Sequence, residues 1–335
     1  MKRKQSVQSS RQTKAKTSPA KNSSEVSRWV IRPIVRTSLN TLDDLVSIAW
    51  NYKETDDSFD WTKLWLMVPV LTELKNIIGM KDLKDRVVDL VAHSVRRAIP
   101  SSSDYFHTII SGPQGCGKTK VANIIARIYR DLGLLNSAKI LTVKRDELTG
   151  THSDKNVRDL LERARGMVLL IDESSENAQR GSEDFSSVLD ALNKHLPEMH
   201  SRDSTICIVC GNDGETEKYS FGVCSGSKTK FPWRLSIFRY SAEEMLDIFK
   251  SQVKKEGWGL DVGAVSKQFF IKNSTLFPAY GRDISNLLLM CKVVHNRRTF
   301  GTNISNILTE EDVSNGFVKY KDMKNNNLQE ISYIS

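Results

Sequence analysis

The chain is 335 residues long, 39% hydrophobic and 27% charged, with five cysteines and a formal net charge of +9. That length can bury a large core and predicts two domains, or one domain with a lid. The few, irregularly placed cysteines exclude a disulfide scaffold and suit a reducing compartment. With no run of eighteen apolar residues and no signal-peptide core, membrane partners are not expected, and an intracellular address in cytoplasm or nucleus is.

Residues 1–36 hold ten Lys/Arg against the single acid Glu25, leaving 39 basic and 39 acidic residues in the remainder. The excess charge therefore sits on a Ser-, Gln- and Lys-rich tail with little to bury, which is expected to be disordered. Its densest points, Lys2-Arg3-Lys4 and Lys14-Ala15-Lys16, fit nuclear targeting or a polyanion or nucleic-acid contact, and fit a solubilising tail equally well. A helical extension is expected over 37–76. Thr41 and Asp44 stand at capping-box spacing ahead of a helix to about Tyr52. Asp60 to Leu74 carries Trp61, Leu64, Trp65, Met67, Val68 and Leu71 at helical spacing, the pattern of packing on a main domain rather than of an exposed partner surface. Ile77-Ile78-Gly79-Met80 leads into a helix over Lys81–Arg97.

An α/β domain is expected over 77–235, because strands alternate with helices as in a parallel sheet covered on both faces. Phe106–Ile110 reads as a buried strand. Lys118–Arg130 reads as an amphipathic helix through Val121, Ile124, Ile125 and Ile128. Between them Gly112-Pro113-Gln114-Gly115-Cys116-Gly117-Lys118-Thr119 fits G-x-x-x-x-G-K-[ST], a loop that wraps a nucleotide's phosphates. Its glycines let backbone N–H groups turn inward, and the next helix points its positive end at the same anion. Lys118 can reach the β- and γ-phosphates, and the Thr119 hydroxyl can ligate Mg²⁺.

A strand at Lys139–Val143 and a helix at Asn156–Ala164 follow. The buried strand Met167–Ile171 runs into Asp172-Glu173, where Asp172 is placed to hold Mg²⁺ through water and Glu173 to activate a water for attack on the γ-phosphate. A helix over Asp184–His195 precedes the strand Thr205–Cys210. Cys207 and Cys210 lie three apart on that strand, face opposite sides and cannot share a metal. Asn212, just beyond, is placed to orient the attacking water, with an Asn-Asp turn as the alternative. From Ser241 the pattern is all helical, predicting a lid over 236–322 and a tail over 323–335. Ser241 and Glu244 form a capping box, helices follow over Val262–Lys272 and Arg282–His295, and Thr309-x-x-Asp312 caps a last one to about Tyr320. Arg282 is placed to reach the phosphates and couple lid position to nucleotide state; simple solvation is its alternative.

Together these parts resemble the AAA+ ATPases over roughly residues 41 to 322, a P-loop NTPase sheet followed by a small helical lid. Phe231-Pro232-Trp233-Arg234 with Tyr240-Ser241-Ala242-Glu243-Glu244 resembles the start of the small domain in the CbxX/CfqX-like branch. Ile77-Ile78-Gly79-Met80-x-x-x-Lys84 is similar to that branch's lead-in, which implies that Ile78 and Gly79 lie by the adenine of ATP. Thr41–Leu45 and Gly281-Arg282-Asp283-Ile284, running to His295-Asn296-Arg297-Arg298, resemble the AAA ATPases of nucleocytoplasmic large DNA viruses. The resemblance implies sensor roles for Asn212 and Arg282, a hexameric ring of copies, and a protein substrate to be remodelled.

Two departures stand out. Lys228-Thr229-Lys230-Phe231-Pro232 has lysines where the family carries an arginine finger, keeping charge but losing the planar fork unless Arg234 or another arginine substitutes. Gly150-Thr151-His152-Ser153-Asp154 lacks the aromatic that grips a threaded polypeptide. These motivate a second reading, a nucleotide-gated scaffold with little turnover. The basic tail motivates a third, a DNA-associated ATPase of clamp-loader or helicase-accessory type.

Overall fold

The computed structural model describes residues 39–51, 59–96, 106–144, 147–148, 153–172, 188, 191–192, 194–196, 204–212, 230–301 and 305–334. The basic tail, Glu173, Lys228 and residues 149–152 lie outside these. Most of the expected 184–195 helix does too.

The described residues begin with four helices, α1 (Leu42–Asn51), α2 (Trp61–Leu66), α3 (Val68–Lys75) and α4 (Lys81–Ser94). Thr41 and Asp44 cap α1 reciprocally, each side chain accepting the other's backbone N–H at 3.1 and 2.9 Å. The apolar stretch after Asp60 is broken at Met67, because Pro69 falls in the first turn of α3 and belongs at a helix start. Leu64, Met67, Val68 and Leu71 are buried while Trp65 is 59% exposed, so most but not all of the stretch packs inward.

The sheet is built from β1 (Thr108–Ser111), β2 (Ile140–Lys144), β3 (Val168–Asp172), β4 (Ile206–Gly211) and β5 (Trp233–Ser236). Their spatial order is β2-β3-β4-β1-β5, and every pairing is parallel. The chain leaves β1 for the far edge, returns through β3 and β4, and crosses to β5 on the other side. Such a reversal opens a crevice at the carboxyl ends of the strands. Helix α5 (Lys118–Asp131) follows β1, and α6 (Ser153–Arg163) follows β2. The Tyr129 hydroxyl, 2.5 Å from Thr108 Oγ1, ties α5 to β1 in the core.

Both faces of the sheet are covered, as its uniformly buried central strand requires. Ile206, Ile208 and Cys210 pack with α1, α3, α4 and α5, whereas Cys207 and Val209 pack with α6 and Leu192. The two cysteines thus face opposite layers, as their spacing predicts, and burial raises both thiol pKa values.

The C-terminal part comprises α7 (Ala242–Lys255), α8 (Lys267–Lys272), α9 (Tyr280–Arg298) and α10 (Glu310–Ile334) around Phe249, Phe270, Phe277 and Tyr320. A two-residue parallel ladder joins β6 (Gly259–Leu260) to β7 (Ile307–Leu308), a small addition to the all-helical expectation. Helix α8 begins five residues later than the periodicity suggests, because Gly263 takes a positive φ of 86° and Ser266 provides the N-cap. The last helix runs to Ile334 rather than Tyr320. Ser38–Ser335 holds together as one compact unit. No helix among the described residues is long and apolar enough to cross a membrane.

Candidate nucleotide site

The loop 112–117 joins β1 to α5 at the carboxyl edge of the sheet, beside the central strand β4. Gly115 and Gly117 take φ values of 69° and 102°, conformations that a side chain would strain. Gly117 is the N-cap of α5, so the first-turn N–H groups of a 14-residue helix are not met by a capping side chain. Lys118 is buried, 6% exposed, and its ammonium donates to the Gly112 and Pro113 carbonyls at 2.7 and 3.0 Å. A buried cation needs such partners.

Asp172 closes β3, two strands away from β1. The Thr119 hydroxyl donates to Asp172 Oδ2 at 3.3 Å, across 53 residues of sequence. A hydroxyl and a carboxylate side by side form an oxygen donor set suited to a hard divalent cation, so these residues fit Mg²⁺. Asn212 follows β4, whose Gly211 carbonyl accepts the Gly112 N–H at 3.2 Å. Asn212 therefore stands beside the start of the loop.

The C-terminal part closes on the same loop. A Cβ built on Gly115 would lie 2.0 Å from the Ala279 carbonyl oxygen and 3.2 Å from Arg282 Cβ. Arg282 is exposed, in the first turn of α9, and beside the loop as its position implies. The lead-in meets both: Met80 Cε lies 3.6 Å from a Cβ built on Gly117, and Glu244 Oε1 lies 2.5 Å from one built on Gly79. Ile78, just before them in sequence, is half-buried. Lys84 anchors this turn by donating to the Ile77 and Lys75 carbonyls at 2.6 and 3.0 Å, and burial lowers its pKa. The loop, Thr119, Asp172, Asn212, Arg282 and the lead-in thus converge.

The family described as "ATPase family associated with various cellular activities (AAA)" matches residues 108–219. A cfxQ-like protein of Acanthamoeba polyphaga mimivirus is 31% identical over 278 residues, which is 79% of this chain and 68% of that protein. The chain belongs to the CfxQ-like AAA ATPases.

As a member of that family it carries a nucleotide-hydrolase domain, and its relatives extend beyond viruses. The CfxQ homolog of Galdieria sulphuraria is 26% identical over 80% of this chain and 88% of its own length. Stage V sporulation protein K of Bacillus subtilis is 24% identical over 56% of this chain and 61% of its own. Among solved structures, the Thermotoga maritima RuvB Holliday junction branch migration motor aligns at 19% identity over 75% of this chain and 71% of its own, with a TM-score of 0.49. That distance is too great to bring DNA into the argument.

Two groups given no role by the sequence complete this CfxQ-like site. Tyr240 donates its hydroxyl to the Cys116 carbonyl at 2.9 Å. Asp283, 3% exposed, accepts the Ala279 N–H at 2.7 Å and pairs with Lys324 at 2.8 Å, holding the start of α9 in place. Both lie within strings that carry the family resemblance, Tyr240–Glu244 and Gly281–Ile284, but those strings assigned neither side chain a role.

Proposed function

We propose that the chain hydrolyses ATP to ADP and phosphate, and passes the nucleotide state through a lid at residues 236–322 to a protein partner, in a ring of copies. The single observation that carries this is the meeting of Thr119 with Asp172 beside the buried Lys118. In this reading the loop N–H groups and Lys118 hold the β- and γ-phosphates, and Thr119 and Asp172 hold Mg²⁺. The cation, when bound, neutralises charge on the β- and γ-phosphate oxygens. Glu173 takes a proton from water as that water's oxygen attacks the γ-phosphorus, and the electron pair of the broken bond leaves on ADP. Asn212 orients the water, and Arg282 brings a cation to the γ-phosphate from the lid. The mimivirus and Galdieria relatives support the assignment through family membership.

A slower, scaffold-like mode is favoured by one contact. Lys230, in the place of an arginine finger, gives its ammonium to the Leu196 carbonyl of its own chain at 2.6 Å. A lysine so engaged has one donor fewer for a neighbour's phosphate. Single-turnover hydrolysis by the native chain and Glu173→Gln separates the modes. The enzyme reading expects a fall of at least about a hundredfold in the variant. Equal, near-zero rates would leave only the scaffold.

A further inference from the structure

Tyr240 lies between β5 and α7, where the chain passes from the sheet to the helical part. Its hydroxyl donates to the Cys116 carbonyl. Its ring meets Tyr280 edge-on, with centroids 5.6 Å apart, and its Cε1 lies 3.2 Å from a Cβ built on Gly79. One half-buried side chain thus touches the phosphate loop, the start of α9 and the lead-in. Tyr280 itself takes a positive φ of 36°, uncommon for a bulky residue, so the backbone at this contact is held in place by its surroundings.

The carbonyl that Tyr240 holds belongs to the peptide joining Cys116 to Gly117. A trans peptide is planar, and its C=O and N–H point in opposite directions. Drawing the carbonyl toward Tyr240 therefore turns the Gly117 N–H the other way, away from the tyrosine and free to meet an anion. Glycine at 117, with its φ of 102°, permits that setting. Burial raises the Tyr240 pKa well above the ordinary tyrosine value, so the O–H is a donor at every working pH.

We infer that Tyr240 is a positioning residue for phosphate binding: its hydroxyl fixes the Cys116–Gly117 peptide so that the Gly117 N–H faces the nucleotide. This rests on ATP binding at the loop. A pre-set donor spares the ligand the ordering of that peptide, which is where affinity is gained.

Tyr240→Phe keeps the ring against Tyr280 and Gly79 and removes only the donor. Binding of ATP, ADP and adenosine, read by competition with a fluorescent ATP analogue, is compared in the native and variant chains. ATP and ADP affinities are expected to fall about two- to tenfold, the reach of one hydrogen bond, while adenosine affinity holds. In turnover, KM for ATP rises by the same factor and kcat stays within about twofold. Undiminished ATP affinity in Tyr240→Phe overturns the inference and leaves the ATPase reading intact. A loss shared equally by adenosine overturns it too, because the hydroxyl would then support the fold rather than the phosphates. A native chain that binds no ATP removes both readings.

Discussion

Gly115 is the residue on which two distant stretches of the chain depend. Its carbonyl lies 3.1 Å from a Cβ built on Gly281, and its own Cα faces the Ala279 carbonyl. Substitution by alanine meets two obstacles. The left-handed backbone at 115 costs a β-carbon about 1–2 kcal/mol, and the added atom collides with an oxygen of the lid backbone, which cannot rotate away as a side chain can. Gly115→Ala is therefore expected to push α9 off the loop, lowering ATP affinity at least about tenfold and the melting temperature by several degrees. Calorimetric titration and thermal melting check this; unchanged affinity would mean that the lid is free of the loop when nucleotide binds. The letters of the loop announce its glycines, and Gly112 to Thr119 were legible as a phosphate loop from sequence alone. What those letters could not show is the neighbour that makes Gly115 irreplaceable, because Ala279 arrives from 164 residues away.

At the scale of elements, α9 and α10 are joined by a buried charge. Asp312, with no exposed surface, lies 2.9 Å from His295 Nδ1, accepts from Arg298 Nε and Nη2 at 2.9 and 2.8 Å, and takes the Thr309 N–H at 3.0 Å. Burial alone would raise its pKa, but the bonds from Arg298, His295 and Thr309 outweigh burial and hold the carboxyl well below its ordinary value. A folded pKa below the unfolded one means that the ionised form favours folding. The contribution is complete above about pH 4 and is lost as pH falls through the folded value. Asp312→Ala is expected to cost up to about 3 kcal/mol, toward the low end for a broken buried pair because Arg298 is 38% exposed. Urea denaturation at pH 7 and pH 3 tests both statements: the gap between native and variant should shrink at the lower pH, and a constant gap would refute the role assigned to the carboxylate.

The sequence showed the Thr309/Asp312 cap, as it showed Ser241/Glu244 and Thr41/Asp44, because a cap is written within four residues. The Asp312 bonds to His295 and Arg298 are tertiary and left no local trace. The same division explains the boundaries. Apolar spacing placed β1 to β4 and the helix after the phosphate loop to within a residue or two. It missed β5, whose four residues are too few to show a pattern, and the start of α8 was set by a glycine turn that hydrophobic periodicity does not register.

For the whole molecule, ring assembly is the consequence most open to measurement. If arginine or lysine groups of one copy complete the site of the next, ATP should favour association. Mass determination by light scattering at matched concentrations, with and without ATP, is expected to show a larger species only with nucleotide, and Lys118→Ala should abolish the shift. A monomer under both conditions would place all of the site's cations within one chain. Fold class was legible at this scale because alternating strands and helices admit few parallel arrangements. Ring size and partner were not, since both depend on surfaces that carry no periodic signature.

The link between sheet and lid has a mechanical meaning of its own. Strand β5 pairs in parallel with β1 through Trp233–Ser236, and the Ile237 N–H still donates to the Ser111 carbonyl at 2.8 Å, three residues before Tyr240. The lid therefore hangs from a strand stitched alongside the one that carries the phosphate loop. A pull on the lid directed along that strand loads its hydrogen bonds together, in shear, instead of peeling them one at a time. Tension applied at the lid would reach Ser111, and the loop that begins one residue later, before the sheet gave way.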